Sequence, residues 1–152
     1  MRIAILGGKL QGVEAAYLAK KAGWEVLLID RKSTCPASGL CDEFIQADIK
    51  TQDDLTPLLA GADLLIPATE NIETLACLEK NPSRKNTSFL FDFPAYAVSS
   101  SKAASNRLFH QFRIPTPMPW PACGFPVVVK PSIGSGSRDV RIFYDADPLR
   151  LH

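Results

Sequence analysis

Short apolar blocks alternate along this chain with stretches in which apolar residues recur every three or four positions. Arg2–Leu6 and Glu25–Asp30 are nearly continuous apolar runs, the pattern of parallel strands covered on both faces. Phe44–Ala47, Leu64–Ile66 and Ser88–Phe91 read as three further strands, ending before Asp48, Pro67 and Asp92. Between them, Val13–Ala22 has helical spacing and stops at Gly23, a natural residue just past a helix end. Thr51–Ala60 reads as a helix with Thr51 as cap and Asp54 three positions on, and Ile72–Lys80 as another. Strands alternating with helices predict an α/β fold, a doubly wound, Rossmann-like parallel sheet with right-handed crossovers.

In such sheets ligands bind beyond the carboxyl ends of the strands. Lys9, Gln11, Asp30, Asp48, Glu70 and Asn71 all fall there, so one crevice is expected to collect them. The loop Gly7-Gly8-Lys9-Leu10-Gln11-Gly12 partly matches a dinucleotide fingerprint, but Lys9 stands where the second glycine belongs. Asp30 could accept a ribose hydroxyl, or could simply end its strand before the Arg31–Ser38 turn.

The pattern changes after Phe91. Ser99–Phe112 reads as a helix with Lys102 in its first turn, and Pro115, Pro117, Pro119 and Pro121 then fall on alternate residues as an extended arm. Val127–Val129 has the composition of a buried strand and ends at Lys130; Val140–Phe143 reads as the returning strand. Between them Pro131-Ser132-Ile133-Gly134-Ser135-Gly136-Ser137 forms a flap whose glycines leave backbone N–H groups uncovered. A lysine at a strand end beside a Gly/Ser flap suits a polyphosphate, although the lysine precedes the glycines and no Walker loop is present. A flexible hairpin with an incidental lysine is the alternative. The organisation expected is residues 1–94 as one domain, 95–121 as connector helix and proline arm, and 122–152 as an incomplete strand-flap-strand unit.

Composition narrows the classes. Of 152 residues 46% are hydrophobic and 22% charged, enough for a packed core, and the net charge of +1 gives no case for nucleic acid or an anionic membrane as partner. Cys35, Cys41, Cys77 and Cys123 form no C-x-x-C pair and read as reduced thiols. No signal peptide and no apolar run of membrane-spanning length is present, so a cytoplasmic protein is expected. His110 and His152 lack metal-ligand companions, and no Ser/His/Asp arrangement supports a hydrolase.

A small α/β domain, a Ser-Lys helix ending in Ile114-Pro115-Thr116-Pro117, then Gly124–Pro131 and the flap together resemble the ATP-grasp ligases. The loop Gly7–Gly12, Glu14-Ala15-Ala16-Tyr17-Leu18, Lys20–Gly23, Ala62–Pro67 with Glu70-Asn71, and Phe91–Tyr96 are similar to the branch of that family serving pyrrolysine biosynthesis. The resemblance implies a pre-ATP-grasp domain followed by the start of an ATP-grasp subdomain. It implies amide formation between methylornithine and the ε-amine of lysine through an acyl phosphate, with ATP and Mg²⁺. It places Lys9, Asp30, Asp48, Ile49, Lys102, Lys130, Gly134, Ser135 and Gly136 at the nucleotide, and Leu10, Gln11 and Glu70 at the amino acid. It assigns no catalytic residue, expects the magnesium ligands beyond His152, and leaves homo-oligomerisation open. From Ser99 onward only Asp139, Asp145 and Asp147 supply carboxylates, and none matches a family role, so the chain alone is expected to be inactive as a ligase.

Three rival readings remain at this level: another ATP-grasp carboxylate–amine ligase, a nicotinamide-dependent domain built on Gly7, Gly12 and Asp30, and a binding module without catalysis. Lys102 as a solvated helix residue, Gln11 as loop filler and Glu70 as a carboxylate at a helix N-terminus are the plain alternatives for those side chains.

Overall fold

The computed structural model describes residues 1–81, 88–134 and 136–146. The chain forms two compact units, Met1–Phe91 and Asp92–His152.

The first unit is a five-stranded sheet of β1 (Arg2–Leu6), β2 (Glu25–Asp30), β3 (Glu43–Gln46), β4 (Leu64–Pro67) and β5 (Ser88–Phe89), in the order β3-β2-β1-β4-β5. Every pairing is parallel. The order reverses between β1 and β4, where Ile3 lies opposite Leu64 and Leu6 opposite Pro67. Ile3, Ile5, Val26, Leu28 and Ile29 are completely buried, as the near-continuous apolar runs of β1 and β2 require. Full burial of each such side chain contributes about 1.5–3 kcal/mol.

Helix α1 (Leu10–Lys21) starts three residues before the expected Val13 because Gly12 belongs to it rather than to the loop. A Cβ on Gly12 would lie 2.0 Å from the Gly7 carbonyl oxygen, so only glycine lets the first turn pack onto the loop after β1. At the other end Gly23 has φ +75°, and Trp24 N donates to Ala19 O while Gly23 N donates to Lys20 O. These two bonds close the helix in a Schellman motif.

The helix expected over Thr51–Ala60 is absent. Asp48 instead caps a short 3₁₀ turn over Ile49–Thr51, and an α-type bond from Leu59 N to Leu55 O lies within the segment. Pro57 explains the difference: it lacks an N–H and its ring would meet the carbonyl four residues back. The apolar spacing still serves packing, since Leu55 and Leu59 are both buried. Helix α2 (Ile72–Lys80) forms as expected, capped by Asn71, whose Oδ1 accepts from Thr74 N at 2.8 Å.

In the second unit Asp92 does not end β5, which stops at Phe89; it caps α3 (Phe93–Ser99), accepting from Ala95 N. An Asp cap followed by Pro94 in the first turn is a helix-start signal the strand reading passed over. The helix expected over Ser99–Phe112 is α4 (Lys102–Gln111), shortened because Ser101 takes the cap position. β6 (Val127–Val129) and β7 (Arg141–Phe143) form an antiparallel pair with Val128 opposite Ile142. The buried environment expected for β6 is not found: Val128 is 56% and Ile142 55% exposed, because a two-stranded sheet has no second layer over that face.

Candidate functional site

Two groups of the predicted residues come together, one in each unit. In the first unit they gather where the strand order reverses, between the loops after β1 and β4. Ala68 N donates to Leu6 O and Gly7 N to Ile29 O, so both loops are fastened to the sheet. Gly7 has φ +102°, and a Cβ there would meet the Ala68 carbonyl oxygen at 2.7 Å; the two loops touch through bare backbone. Across this contact Gln11 Nε2 donates to Glu70 Oε1 at 3.2 Å. Leu10, 68% exposed, and Lys9, also exposed, stand on the same first turn of α1.

Asp30 is held at the end of β2 by two backbone N–H groups. Its Oδ2 accepts from Gly8 N at 2.7 Å and its Oδ1 from Lys32 N at 2.9 Å, so the carboxylate clasps the glycine loop to the end of β2. Cys35 closes the loop from the other side, leaving no room for a side chain on Gly8. Burial pushes the Cys35 thiol up from its ordinary value and the Asp30 charge adds to this, the opposite of what a nucleophilic thiolate needs. Burial likewise raises Cys41.

Asp48 and Ile49 are committed to the 3₁₀ turn. Asp48 Oδ1 accepts from Lys50 N, and the Ile49 side chain is buried, leaving only its main chain for any ligand. Lys50 pairs with Glu73 at 3.0 Å, a contact that raises its pKa. Asn71 is absorbed by capping α2.

In the second unit, Lys102, Lys130, Pro131, Gly134, Gly136, Ser137, Arg138 and Val140 line an open cleft of about 240 Å³. Lys102 is positioned twice: its N–H donates to Ser132 O at 2.8 Å, and its Nζ to Gly134 O at 2.8 Å. The Ser101 and Ser132 hydroxyls meet at 3.1 Å, so the start of α4 and the flap are held together. Lys130 makes no hydrogen bond or ion pair among the described residues. Ser135 and Asp147 lie outside the described residues. Among the described residues the cleft combines cations with glycine backbone and no lining carboxylate, a donor set that fits a polyphosphate. Among the described residues no three His, Cys, Asp or Glu side chains stand together as metal ligands.

Arg138 is the lining residue the sequence reading missed. The signal in the sequence is that Arg138 is the first cation after the flap glycines.

The class the fold defines is an α/β unit with a parallel sheet of order β3-β2-β1-β4-β5, followed in the chain by a lysine-bearing helix and a strand-flap-strand. The chain belongs to the family described as PylC-like, N-terminal domain, whose model matches residues 3–89. It is 38% identical over 148 residues to the 3-methyl-D-ornithine–L-lysine ligase of Methanosarcina acetivorans, and 39% identical to that of Methanosarcina barkeri. Each match covers 97% of this chain and 40% of the relative, so the chain spans two fifths of the length of these ligases. Among solved structures, N5-carboxyaminoimidazole ribonucleotide synthetase from Thermotoga maritima superposes with a TM-score of 0.75 at 24% identity, covering 99% of this chain and 43% of that one. An ADP complex of the same kind of synthetase gives a TM-score of 0.81 at 18% identity, with the same coverage of both chains. At these identities the likeness is one of fold. No helix among the described residues is long and apolar enough to cross a membrane.

Proposed function

We propose that this chain is the amino-terminal part of an ATP-dependent carboxylate–amine ligase that joins 3-methyl-D-ornithine to L-lysine. The observation that carries this reading is the cleft lined by Lys102, Lys130 and residues of the flap. The substrate pair comes from the methylornithine–lysine ligases that match across nearly the whole chain. In such a reaction a carboxylate receives the γ-phosphoryl group of ATP and an amine then displaces phosphate from the acyl phosphate. Phosphoryl transfer asks a protein mainly for positioning and charge neutralisation.

The residues have corresponding tasks. Lys130 and Lys102 neutralise phosphate oxygens, and the amides of Gly134 and Gly136 donate to them. Glu70 accepts from the ammonium of the amino acid, Gln11 fixes that carboxylate's orientation, and Leu10 covers the apolar part of the side chain. Lys9, Asp48 and the Ile49 main chain border the nucleotide, and Asp30 contributes by holding the Gly8 amide in place. No step is assigned to magnesium, for which the described residues offer no ligand set.

Equilibrium titration of the chain with ATP, and separately with methylornithine and lysine, tests the reading. ATP binding that Lys130→Ala abolishes, and amino-acid binding that Glu70→Gln weakens, are the expected results. ATP affinity untouched by both Lys130→Ala and Lys102→Ala would overturn the nucleotide assignment.

A further inference from the structure

We propose that Arg138 is a third phosphate-binding cation of the flap cleft, and that the cleft takes a bare polyphosphate chain and ranks it by its number of phosphates. This deepens the nucleotide reading above and rests on it.

Three observations converge on Arg138. It lines the same 240 Å³ cleft as Lys102 and Lys130, and among the described residues no carboxylate lines that cleft. It is exposed and makes no hydrogen bond or ion pair among the described residues; nor does Lys130. Three like charges around one cleft repel one another, and an anion with several charges relieves that repulsion while a singly charged one relieves little of it. The backbone around Arg138 is also costly. Ser137 and Asp139, its two neighbours, have φ of +57° and +56°, a left-handed conformation that non-glycine residues seldom adopt. Among the described residues the turn is closed by a long bond from Val140 N to Ser137 O at 3.4 Å. The amides of Gly136, Ser137 and Arg138 carry no hydrogen bond among the described residues and remain available as donors to phosphate oxygens.

A planar guanidinium adds what two ammonium groups lack, since it can engage two oxygens of one phosphate, or of neighbouring phosphates, at once. No contact to a base or ribose enters this account, so the cleft should bind inorganic polyphosphates.

Calorimetric titration of the full 152-residue chain with tripolyphosphate, pyrophosphate and orthophosphate tests this, using the parent, R138A, R138K and K130A. The parent should bind tripolyphosphate tightest and orthophosphate weakest. R138A should lose about tenfold for tripolyphosphate, with the smallest loss for orthophosphate, and R138K should recover part of it. The melting temperature of R138A should match the parent, because the side chain is exposed and unpartnered. A flattened ranking in R138A at unchanged stability is a result that a merely structural role would not give. Equal affinity of the parent for all three anions, or parent-like binding by R138A, would overturn the proposal. ATP binding lost in K130A but intact in R138A would discard Arg138 and leave the proposed function standing. A parent that binds neither ATP nor tripolyphosphate would remove both.

Discussion

Gln11 Nε2 donates to Glu70 Oε1 across the point where the strand order of the sheet reverses, 59 residues apart in sequence. The two side chains leave different loops, and their meeting depends on β1 and β4 being neighbours. Glu70→Gln should weaken binding of the amino-acid substrate by roughly 1.5–3 kcal/mol, the worth of a charge-assisted hydrogen bond. Calorimetry with methylornithine and with lysine reads this directly. Affinity equal to the parent for both would show that Glu70 only serves the start of α2.

Gly12 and Gly23 should respond differently to alanine. Gly12→Ala places a methyl group 2.0 Å from the Gly7 carbonyl, so the loop after β1 must move, with a cost of about 1–3 kcal/mol. Gly23→Ala meets open space and suffers only from its φ of +75°, about 1 kcal/mol. Thermal melts of the two variants compare the effects, and Gly12→Ala should also disturb amino-acid binding while Gly23→Ala leaves it alone. Equal effects on binding would mean that the loop position does not matter to the site.

The flap amides should exchange more slowly with solvent when ATP is added. Those of Gly136, Ser137 and Arg138 are open among the described residues, and a phosphate ligand would give them acceptors. Hydrogen exchange on the parent and on Lys130→Ala, at equal nucleotide concentration, measures this. Slowing in the parent that vanishes in the variant is expected; identical exchange with and without ATP would make the flap a plain connector.

The Lys20–Asp42 pair gives a pH signature. Lys20 beside Asp42, and then the Val26 N–H, hold this carboxyl below its ordinary value of 3.8. A depressed folded-state pKa contributes stability that is complete above the unfolded value and is lost as the pH falls through the folded one. Asp42→Asn should therefore melt slightly below the parent at pH 7, with the gap closing below about pH 4. The gap should be small because the pair is exposed and solvent screens it. A gap that widened on acidification would contradict the assignment.

Much of this organisation was legible in the sequence. The β1 and β2 boundaries coincide with the continuous apolar runs because burial on both faces tolerates no polar residue inside them. The convergence of Gln11 with Glu70, and of Lys102 with the flap, followed from the ligand-binding end of a parallel sheet and from the family resemblance. The misreadings have local causes. In Thr51–Ala60 the apolar spacing was real, but one proline decides against a continuous helix. Gly12 looked like loop because glycine weakens helices, whereas here its missing side chain is what the packing uses. For Asp30 the sequence left a ribose acceptor and a strand end both open; the structure adds a task neither named, since its oxygens accept from Gly8 and Lys32. The apolar run of β6 has the composition of a buried strand, yet Val128 is 56% exposed because its sheet has two strands.

The central place of β1 also governs the order of assembly. The ribosome makes this strand first, and its partner β2 follows within 30 residues, so the β3-β2-β1 half can pair once Gln46 has emerged. The other edge of β1 must wait for Leu64–Pro67, leaving its backbone groups without a neighbour in the meantime. Nascent chains arrested shortly before Leu64 should therefore be the most prone to cleavage and self-association, with protection rising once Pro67 has cleared the exit tunnel. Pulse proteolysis of a series of arrested chains would reveal that step, and a smooth rise with length would refute it.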